Sequence, residues 1–381
     1  MASSSWLRLP LASSTPAGPR SRPSKPSIPA VTDASRPLPL DPSLIQGFAP
    51  ALIAWQKVHG RHQLPWQNTD DPYRVWLSEI MLQQTQVTTV LGYYERFLER
   101  FPDVAALAAA HLDEVLALWA GLGYYSRARN LHRCAQAVVA QFGGSFPPTA
   151  ELLATLPGIG RSTAAAIASF CFGERVAILD GNVKRVLGRV LAFDADLAKQ
   201  ANERQLWALA TQLLPDRDMP AYTQGLMDLG ATLCSRTSPQ CLLCPVTELC
   251  LGHKTGQPED YPVRIRKLKR SRRENWWLWL EHEGRIWLTQ RPDTGVWAGL
   301  WTLPLFDDEA ALKAQAGALD VKLSRLPTIE HSLTHFDWVL HPRQASLSQA
   351  PGEALPGPGI WVAREALASY AVPAPLKKLL T

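Results

Sequence analysis

Four cysteines near residue 240 form the densest group of reactive side chains in the sequence. They are spaced C-x6-C-x2-C-x5-C within seventeen residues, at Cys234, Cys241, Cys244 and Cys250. Thiolates this close together indicate a metal site or two disulfides, and a disulfide framework is unusual in a chain of 381 residues. Zinc sites usually pair two short arms across a longer loop, whereas a cube that takes one thiolate per iron suits the compact C-x2-C-x5-C segment. The number of ligands fits either metal.

Two carboxylates could carry acid–base chemistry. Glu79 lies in VWLSEIMLQQTQV (75–87), a segment that is otherwise apolar or rich in amides. Burial there would raise the pKa of its carboxyl and make it a proton donor near neutral pH, although an isolated glutamate normally faces solvent. Asp180 follows an apolar triplet in ILDGNVKRV (178–186), where it could take part in a reaction or cap the helix that starts near Val183.

A glycine-containing turn lies between these acids in the sequence. LPGIGRSTAAAIASF (156–170) predicts a helix–hairpin–helix, in which Gly158 and Gly160 allow a tight turn and close approach of the backbone. The second helix can begin near Ser162, and its free N–H groups would then face an anion such as a DNA phosphate. A plain helix–helix turn with glycine stops is the alternative.

The elements that position these residues divide the chain into two kinds of pattern. From about Pro42 to Leu233, apolar residues recur at steps of three and four, which predicts an all-α domain of roughly ten helices. After Asn275, short aromatic and β-branched runs separated by turns predict a β-rich domain, which holds eight of the fourteen tryptophans. The fold class is therefore multidomain, all-α first and then α+β.

The domain boundaries follow from changes in composition along the chain. We expect a disordered Ser/Pro-rich extension over 1–40, which could also be a transit signal, and a helical domain over 41–233. A cysteine loop over 234–251 and a basic linker over 252–274 lead to the β-rich domain over 275–381. Seven of the ten residues 264–273 are basic, as a solvated run or a DNA contact would be.

The overall charge and hydropathy limit the kinds of partner that we expect. A net charge of +5 permits a polyanionic partner. No uninterrupted apolar run approaches the ~18 residues of a membrane span, so we expect a soluble protein with no membrane partner. The compartment stays open: cytoplasmic or nucleoid-associated in a bacterium, organellar or nuclear in a eukaryote.

Residues from about Ala51 to Leu251 resemble the helix–hairpin–helix glycosylases that carry a [4Fe-4S] cluster. Within that superfamily they resemble the MutY-type adenine DNA glycosylases rather than endonuclease III. The segments that carry this resemblance are LPWQ (64–67), VWLSEIMLQQTQV (75–87), GLGYYSRARNL (121–131), LPGIGRSTAAAI (156–167), ILDGNVKRV (178–186), MDLGATLC (227–234) and the cysteine spacing. The resemblance implies one [4Fe-4S] cluster on the four cysteines. It also implies a base-excision enzyme that flips adenine, paired with 8-oxoguanine or guanine, out of duplex DNA. We expect a monomer, with any protein partners unknown.

The resemblance also implies roles for individual residues. Glu79 would be the general acid that protonates adenine, and Asp180 would stabilise the positive sugar, with Asn182 and Ser162 in support. Endonuclease III-like members form an imine from a lysine at the place of Ser162, which a hydroxyl cannot do, so the implied enzyme is monofunctional. Gln84 and Tyr124 would fill the vacated base stack. The other expected DNA or pocket contacts are Gly158, Gly160, Lys184, Gln224 and Arg236.

QRPDTGVWAGLWTLPLF (290–306) resembles the Nudix-like domain of MutY-type enzymes, which recognises 8-oxoguanine. The acidic metal-binding signature of Nudix hydrolases is missing after Gly299, so we reject nucleotide pyrophosphatase activity. The recognition loop of the family usually reads Phe-Ser-His, and here the matching residues are Leu333, Thr334 and His335. Thr334 keeps a hydroxyl for hydrogen bonding, whereas the phenyl ring is lost.

Besides the Nudix hydrolase, the sequence leaves two rival functions. The first is a bifunctional pyrimidine glycosylase with lyase activity, against which Ser162 argues. The second is a non-catalytic DNA-binding module that uses the cluster as a scaffold. The presence of both Glu79 and Asp180 argues against that module, because binding requires neither acid.

Overall fold

Helices occupy the first half of the protein. The computed structural model describes residues 40–67, 69–263, 270–349 and 354–380, so all but the last residue of the extension predicted over 1–40 and most of the basic run lie outside the described residues. Eleven α-helices precede the cysteine loop in the described part, close to the ten predicted. They are α1 (Pro42–His59), α2 (Pro72–Leu82), α3 (Val87–Arg100), α4 (Val104–Ala109), α5 (Leu112–Trp119), α6 (Tyr125–Phe142), α7 (Ala150–Leu153), α8 (Arg161–Phe172), α9 (Gly181–Val190), α10 (Gln200–Gln212) and α11 (Met219–Ala231). None of the described helices has the length and apolar character needed to cross a bilayer.

Local signals set the ends of the helices that carry the candidate acids. Asp71 caps α2 by accepting a hydrogen bond from the N–H of Tyr73 at 2.9 Å, and Pro72 occupies the first turn, where no N–H is needed. Asp180 caps α9 by accepting from the N–H of Val183 at 2.7 Å. The capping role considered for Asp180 is therefore real, and α9 begins two residues before the expected Val183.

Two hydrophobic cores form the helical domain, and α8 lies between them. The first core collects buried residues of α2 to α8, and the second collects those of α1, α9, α10, α11 and the cysteine loop. Ala164 and Ala168 of α8 belong to the first core, whereas Ala165 and Ala166 belong to the second, and all four are fully buried. Because alanine is small, both halves of the domain approach this helix closely.

The cysteine loop follows α11 and ends in the short helix α12 (Leu251–Lys254). Two 3-10 turns, Cys241–Leu243 and Thr247–Leu249, space the cysteines along it, and a third covers Pro258–Asp260. The loop packs on the second core through Val246 and Cys250. The end of the helical half is therefore built around the cysteines.

A mixed sheet forms the second half. Its strands are β1 (Ser271–His282), β2 (Arg285–Gln290), β3 (Trp301–Thr302), β4 (Leu305–Phe306), β5 (Ser324–Arg325), β6 (Ile329–Ser332), β7 (Phe336–Ser346) and β8 (Gly359–Ala363). The main path runs β3-β2-β1-β7-β5, and β1 and β7 pair in parallel over almost their whole lengths, from Ser271 opposite Phe336 to Glu281 opposite Ser346. The helices of this half are α13 (Glu309–Ala318), α14 (Ala374–Leu380) and a 3-10 segment, Arg364–Ser369. The predicted order of an all-α part and then an α+β part is confirmed.

The start of α6 joins the two halves. The hydroxyl of Tyr125 donates to the carbonyl of Val372 at 3.4 Å, and the guanidinium of Arg129 donates to the carbonyl of Ala298. Apolar residues of both halves also belong to one continuous buried cluster. The β-rich half is therefore packed against the helical half rather than tethered only by the linker.

Candidate active site

Glu79 and Asp180 line one cavity of about 1390 Å³. Glu79 comes from α2 and Asp180 from the start of α9, so the cavity lies where the two halves of the helical domain meet. In the described part of the chain these two are the only acidic side chains in its lining. The wall also carries cations and amides, including Lys57, Arg61, Gln83, Arg185 and Gln224.

The surroundings of Glu79 favour the protonated form of its carboxyl. Burial, with a smaller contribution from the charge of Asp180, raises its pKa from 4.5 to about 8. At neutral pH the Glu79 carboxyl is therefore mostly protonated and able to donate. Glu79 is half-buried at the cavity wall, and its role as the general acid stays a prediction.

Asp180 has surroundings that favour its anion more. Burial raises its pKa as well, but hydrogen bonds from the N–H groups of Val183 and Asn182 and the positive charges of Arg185 and Lys184 act in the opposite direction. The N-terminus of α9 therefore stabilises a carboxylate at this position. Two acids in one cavity, with a pKa of about 8 at Glu79 and with hydrogen-bond donors and cations around Asp180, suit acid-assisted cleavage of a glycosidic bond.

Ser162 and Asn182 also line the cavity, and both support the segment that carries Asp180. The hydroxyl of Ser162 accepts a hydrogen bond from the N–H of Leu179 at 3.1 Å. The Oδ1 atom of Asn182 accepts from Arg185 at 2.8 Å. Ser162 thus holds the backbone just before Asp180, and Asn182 bonds to the cation that follows it on α9.

Asp228 anchors one wall of the cavity, and the sequence reasoning missed it. This fully buried carboxylate accepts hydrogen bonds from the backbone N–H of Arg61 at 2.9 Å, from Arg61 Nε at 2.7 Å and from Gln224 Nε2 at 2.9 Å. It therefore fixes the cavity-lining side chains of Arg61 and Gln224. An acid within the apolar run GLMDLGA was the available signal.

Arg127 ties together three segments around the site and was also missed. Its buried guanidinium donates to the carbonyls of Ile80 and Met81 at the end of α2, to Thr85 Oγ1, and to the carbonyls of Leu122 and Gly123. The helix of Glu79, the turn that follows it and the loop before α6 are therefore held by one side chain. In the sequence, the only sign of Arg127 was a basic residue within GLGYYSRARNL.

The predicted hairpin is formed, but its two glycines serve different needs. Gly158 has a φ of 77°, and a Cβ there would lie 2.5 Å from the Cβ of Asn130. Gly160 has an ordinary φ of −83°, caps α8, and would have open space around an added Cβ. Only Gly158 is therefore required by the turn itself, whereas Gly160 leaves the N-terminus of α8 accessible.

The two expected wedge residues both adopt left-handed backbone conformations on the surface. Gln84 is exposed, has a φ of 57° and lines the cavity. Tyr124 is 46% exposed, has a φ of 49° and lies beside the cavity rather than in it. Its hydroxyl is 2.7 Å from Thr334 Oγ1 of the β-rich half.

The two expected basic contacts differ. Arg236 is exposed, and it lines the cavity. Lys184 is not among the described lining residues, and its ammonium forms an ion pair with Glu203 at 2.6 Å. Its expected contact with the pocket or with DNA stays a prediction.

Leu333, Thr334 and His335 form the tight connection between β6 and β7. The N–H of Leu333 donates to the carbonyl of Phe336 at 2.9 Å, and Ser332 Oγ donates to Asp337 at 2.7 Å, which closes the turn. Thr334 and His335 are exposed, whereas Leu333 packs against the core. The two polar side chains of the predicted recognition loop are thus the accessible ones.

The four cysteines of the loop line one small apolar cavity, and none forms a disulfide. Arg189, almost fully buried, donates to Cys234 Sγ at 3.3 Å and to the carbonyls of Ser235 and Arg236 at 2.6 and 3.0 Å. In the described residues no group of three or more His, Cys, Asp or Glu side chains closes around a single metal ion. Four thiols around one cavity with a cation beside them suit a cluster that takes one sulfur per iron better than a lone zinc ion.

Comparisons with known proteins agree with this arrangement. Residues 77–212 match the family described as HhH-GPD superfamily base excision DNA repair protein, and residues 275–381 match the NUDIX domain. The chain is 32% identical to an adenine DNA glycosylase of Buchnera aphidicola (subspecies Schizaphis graminum) over 87% of its own length and 97% of that protein. It is 34% identical to the human adenine DNA glycosylase, over 89% of this chain and 74% of that one. Among solved structures, a thermostable thymine-DNA glycosylase is similar with 27% identity over 55% of this chain and 96% of that chain, at a TM-score of 0.49.

The helical part and the cavity define a base-excision DNA glycosylase with an appended Nudix-like domain. The extent of the similarity to curated relatives then decides the family: the chain belongs to the adenine DNA glycosylases, hydrolases that act on N-glycosyl bonds.

Proposed function

We propose that this enzyme releases adenine paired with 8-oxoguanine or guanine in duplex DNA, with Glu79 as general acid and Asp180 as the carboxylate that stabilises the sugar. The observation that carries the proposal is the pairing of these two acids in one cavity, with a pKa of about 8 at Glu79. The cations on the cavity wall suit a phosphate backbone.

The first half of the reaction breaks the bond between the sugar C1′ and the adenine N9. Adenine leaves poorly as an anion, so Glu79 donates its proton to a ring nitrogen as the bond breaks. The electron pair of the bond goes to the base, and positive charge develops on the sugar. Asp180 lies at the capped start of α9, where its carboxylate offsets that charge.

Water completes the reaction at C1′. The deprotonated Glu79 accepts a proton from the attacking water, which restores the acid and leaves an abasic sugar. Ser162 contributes a hydroxyl that is bonded to the backbone N–H of Leu179 and cannot form an imine. We therefore propose a monofunctional glycosylase.

Recognition of the opposite base is assigned to the β6–β7 turn. Thr334 and His335 are exposed there, and Thr334 bonds to Tyr124 of the helical half. Gln84 and Tyr124 sit in strained, exposed positions from which they can enter the base stack. Arg236 and the open N-terminus of α8 at Gly160 are the proposed backbone contacts.

A [4Fe-4S] cluster on Cys234, Cys241, Cys244 and Cys250 is part of the proposal. When bound, it would brace the loop that carries Arg236 against the DNA backbone. The chain already links this loop to α9, because Arg185 donates to the carbonyl of Cys234 at 2.8 Å and to Asn182.

The test is single-turnover release of adenine from three duplexes, with adenine opposite 8-oxoguanine, guanine or thymine. We expect fast release from the first, slower release from the second and none from the third. Borohydride trapping on abasic DNA should give no covalent product, which separates this enzyme from a lyase. Protein with its iron loaded that releases no adenine from any of the duplexes would overturn the proposal.

A further inference from the structure

A strained loop of the β-rich half lies against the helical half. Residues 291–300, here called the Trp297 loop, connect β2 to β3. Three of its residues have left-handed backbones: Gly295 with a φ of 87°, Trp297 with 57° and Gly299 with 70°. Tryptophan rarely adopts that conformation, so contacts elsewhere must hold Trp297 in place.

One set of contacts lies in the sheet beneath the β6–β7 turn, residues 333–335, here called the recognition turn. The ring of Trp297, only 8% exposed, stacks on Trp338 with centroids 4.4 Å apart and planes at 23°. It also contacts the ring of His331 at 5.6 Å. His331 is on β6 and Trp338 on β7, and these two strands carry Leu333, Thr334 and His335 between them. The position of the Trp297 ring therefore supports the recognition turn from below.

The other contact comes from the helical half. Arg129 of α6 donates to the carbonyl of Ala298, next to Trp297. The carboxylate of Asp293, in the same loop, attracts the Arg129 guanidinium. Arg129 lies five residues after Tyr124, which itself bonds to Thr334 of the recognition turn. Tyr124, α6, the Trp297 loop and the recognition turn thus form a closed ring of contacts.

We propose that Arg129 is a positioning residue for lesion recognition: by holding the Trp297 loop, it sets the recognition turn relative to Tyr124. Arg129 does not line the cavity in the described residues, so the bond-breaking step does not use it. The inference rests on the proposed function, because it explains how the two halves are aligned to read the base opposite adenine.

The test compares Arg129→Met with Arg133→Met. Arg133 is exposed on the same helix, and its guanidinium bonds to Asn130 of that helix, so it is the matched control. The quantity measured is the ratio of single-turnover rate constants for adenine opposite 8-oxoguanine and opposite guanine. We expect Arg129→Met to lower this ratio at least fivefold while the rate opposite guanine stays within twofold of wild type. Arg133→Met should keep both rates, and Arg129→Lys should recover part of the ratio, because a lysine can still donate one hydrogen bond.

Two outcomes would overturn the inference: an unchanged ratio in Arg129→Met, or equal losses on both duplexes, which would place the effect in the helical half alone. If Arg129→Met does not fold, Asp293→Asn and Arg129→Lys decide by the same ratio, since each weakens the contact and keeps a polar side chain. The ratio of the two rate constants is measured first for the wild-type protein, and this measurement tests the proposed function. A wild-type preference together with unaltered variants would refute only the role of Arg129.

Discussion

Glu79 and Asp180 face one cavity, yet their carboxyl groups have different neighbours. Glu79 projects from the middle of a mostly buried helix, whereas Asp180 accepts N–H groups at the start of α9. Burial thus raises both pKa values, and only that of Asp180 is opposed by hydrogen bonds and positive charges.

We predict that Glu79→Gln lowers the rate of adenine release by about 100-fold or more, while the protein still binds the lesion duplex. In the wild type the reactive form is protonated, and the pKa is about 8, so the rate should fall as pH rises through that value. Single-turnover rates between pH 6 and 9 and a gel-shift titration measure both effects. Release near the wild-type rate by Glu79→Gln would remove Glu79 as the acid.

The same raised pKa predicts an effect on stability. The folded protein keeps the Glu79 proton between pH 4.5 and about 8, while the unfolded chain releases it. Wild-type stability should therefore decrease relative to Glu79→Gln as pH rises through this window. Chemical denaturation of both proteins at pH 5 and pH 8 checks the sign. A constant difference between the two proteins would mean that Glu79 is ordinarily solvated.

Asp180 has a structural and a proposed chemical role, and two substitutions separate them. Asparagine can still accept the N–H of Val183, so Asp180→Asn should keep the fold yet lower the rate by about 100-fold or more. Asp180→Ala should lose the cap as well, which costs about 1 kcal/mol of stability. Thermal unfolding and adenine release are measured for both. Asp180→Asn protein that is folded and fully active would leave Asp180 only its capping role.

At the scale of elements, α8 and the turn before it determine how the two cores meet. The four buried alanines let both halves pack on α8, and the turn at Gly158 brings the backbone against Asn130. The start of α8 stays open at Gly160. Stability and DNA contact are therefore assigned to neighbouring but distinct glycines.

We predict that Gly158→Ala destabilises the protein by about 1–3 kcal/mol, because alanine is strained at a φ of 77° and its Cβ would meet Asn130. Gly160→Ala is the matched control, with ordinary backbone angles and free space. It should leave the free energy of unfolding unchanged and weaken DNA binding instead. Urea unfolding and DNA titrations measure the pair, and equal destabilisation by both substitutions would contradict this division.

At the scale of the whole molecule, the cysteine loop closes the second core, and α6 joins the helical half to the sheet. Arg185 and Arg189 connect α9 to the loop through its backbone carbonyls. A change at the cysteines should therefore reach Asp180 through α9, although the cysteines do not line the cavity in the described part of the chain.

We predict that the purified protein holds about four iron atoms per chain and that Cys244→Ala loses them. Loss of iron should lower the melting temperature, because the loop packs on the second core. Cys171→Ala is the control, since Cys171 lies on α8 outside the loop, and it should keep the iron. Metal analysis and thermal unfolding provide the readout, and about one zinc per chain in place of iron would refute the cluster.

Local patterns were enough to predict much of this protein. The three- and four-residue periodicity predicted the helical half, the short aromatic and β-branched runs predicted the sheet, and the cysteine spacing marked the loop. Glu79 and Asp180 were visible because an acid stands out among apolar neighbours. These signals depend on residues close together in the chain, and periodicity reports them directly.

The contacts that complete the site depended on the tertiary structure. Asp228 reaches Arg61 across 167 positions, and Arg129 reaches Ala298 across 169. No periodicity records such pairs, because they form only when separate elements pack. By itself the sequence determined which residues could do chemistry and which elements carry them. Only the tertiary structure decided that burial raises the pKa of Glu79, that Lys184 pairs with Glu203, and that α6 contacts the sheet, because each depends on groups brought together by packing.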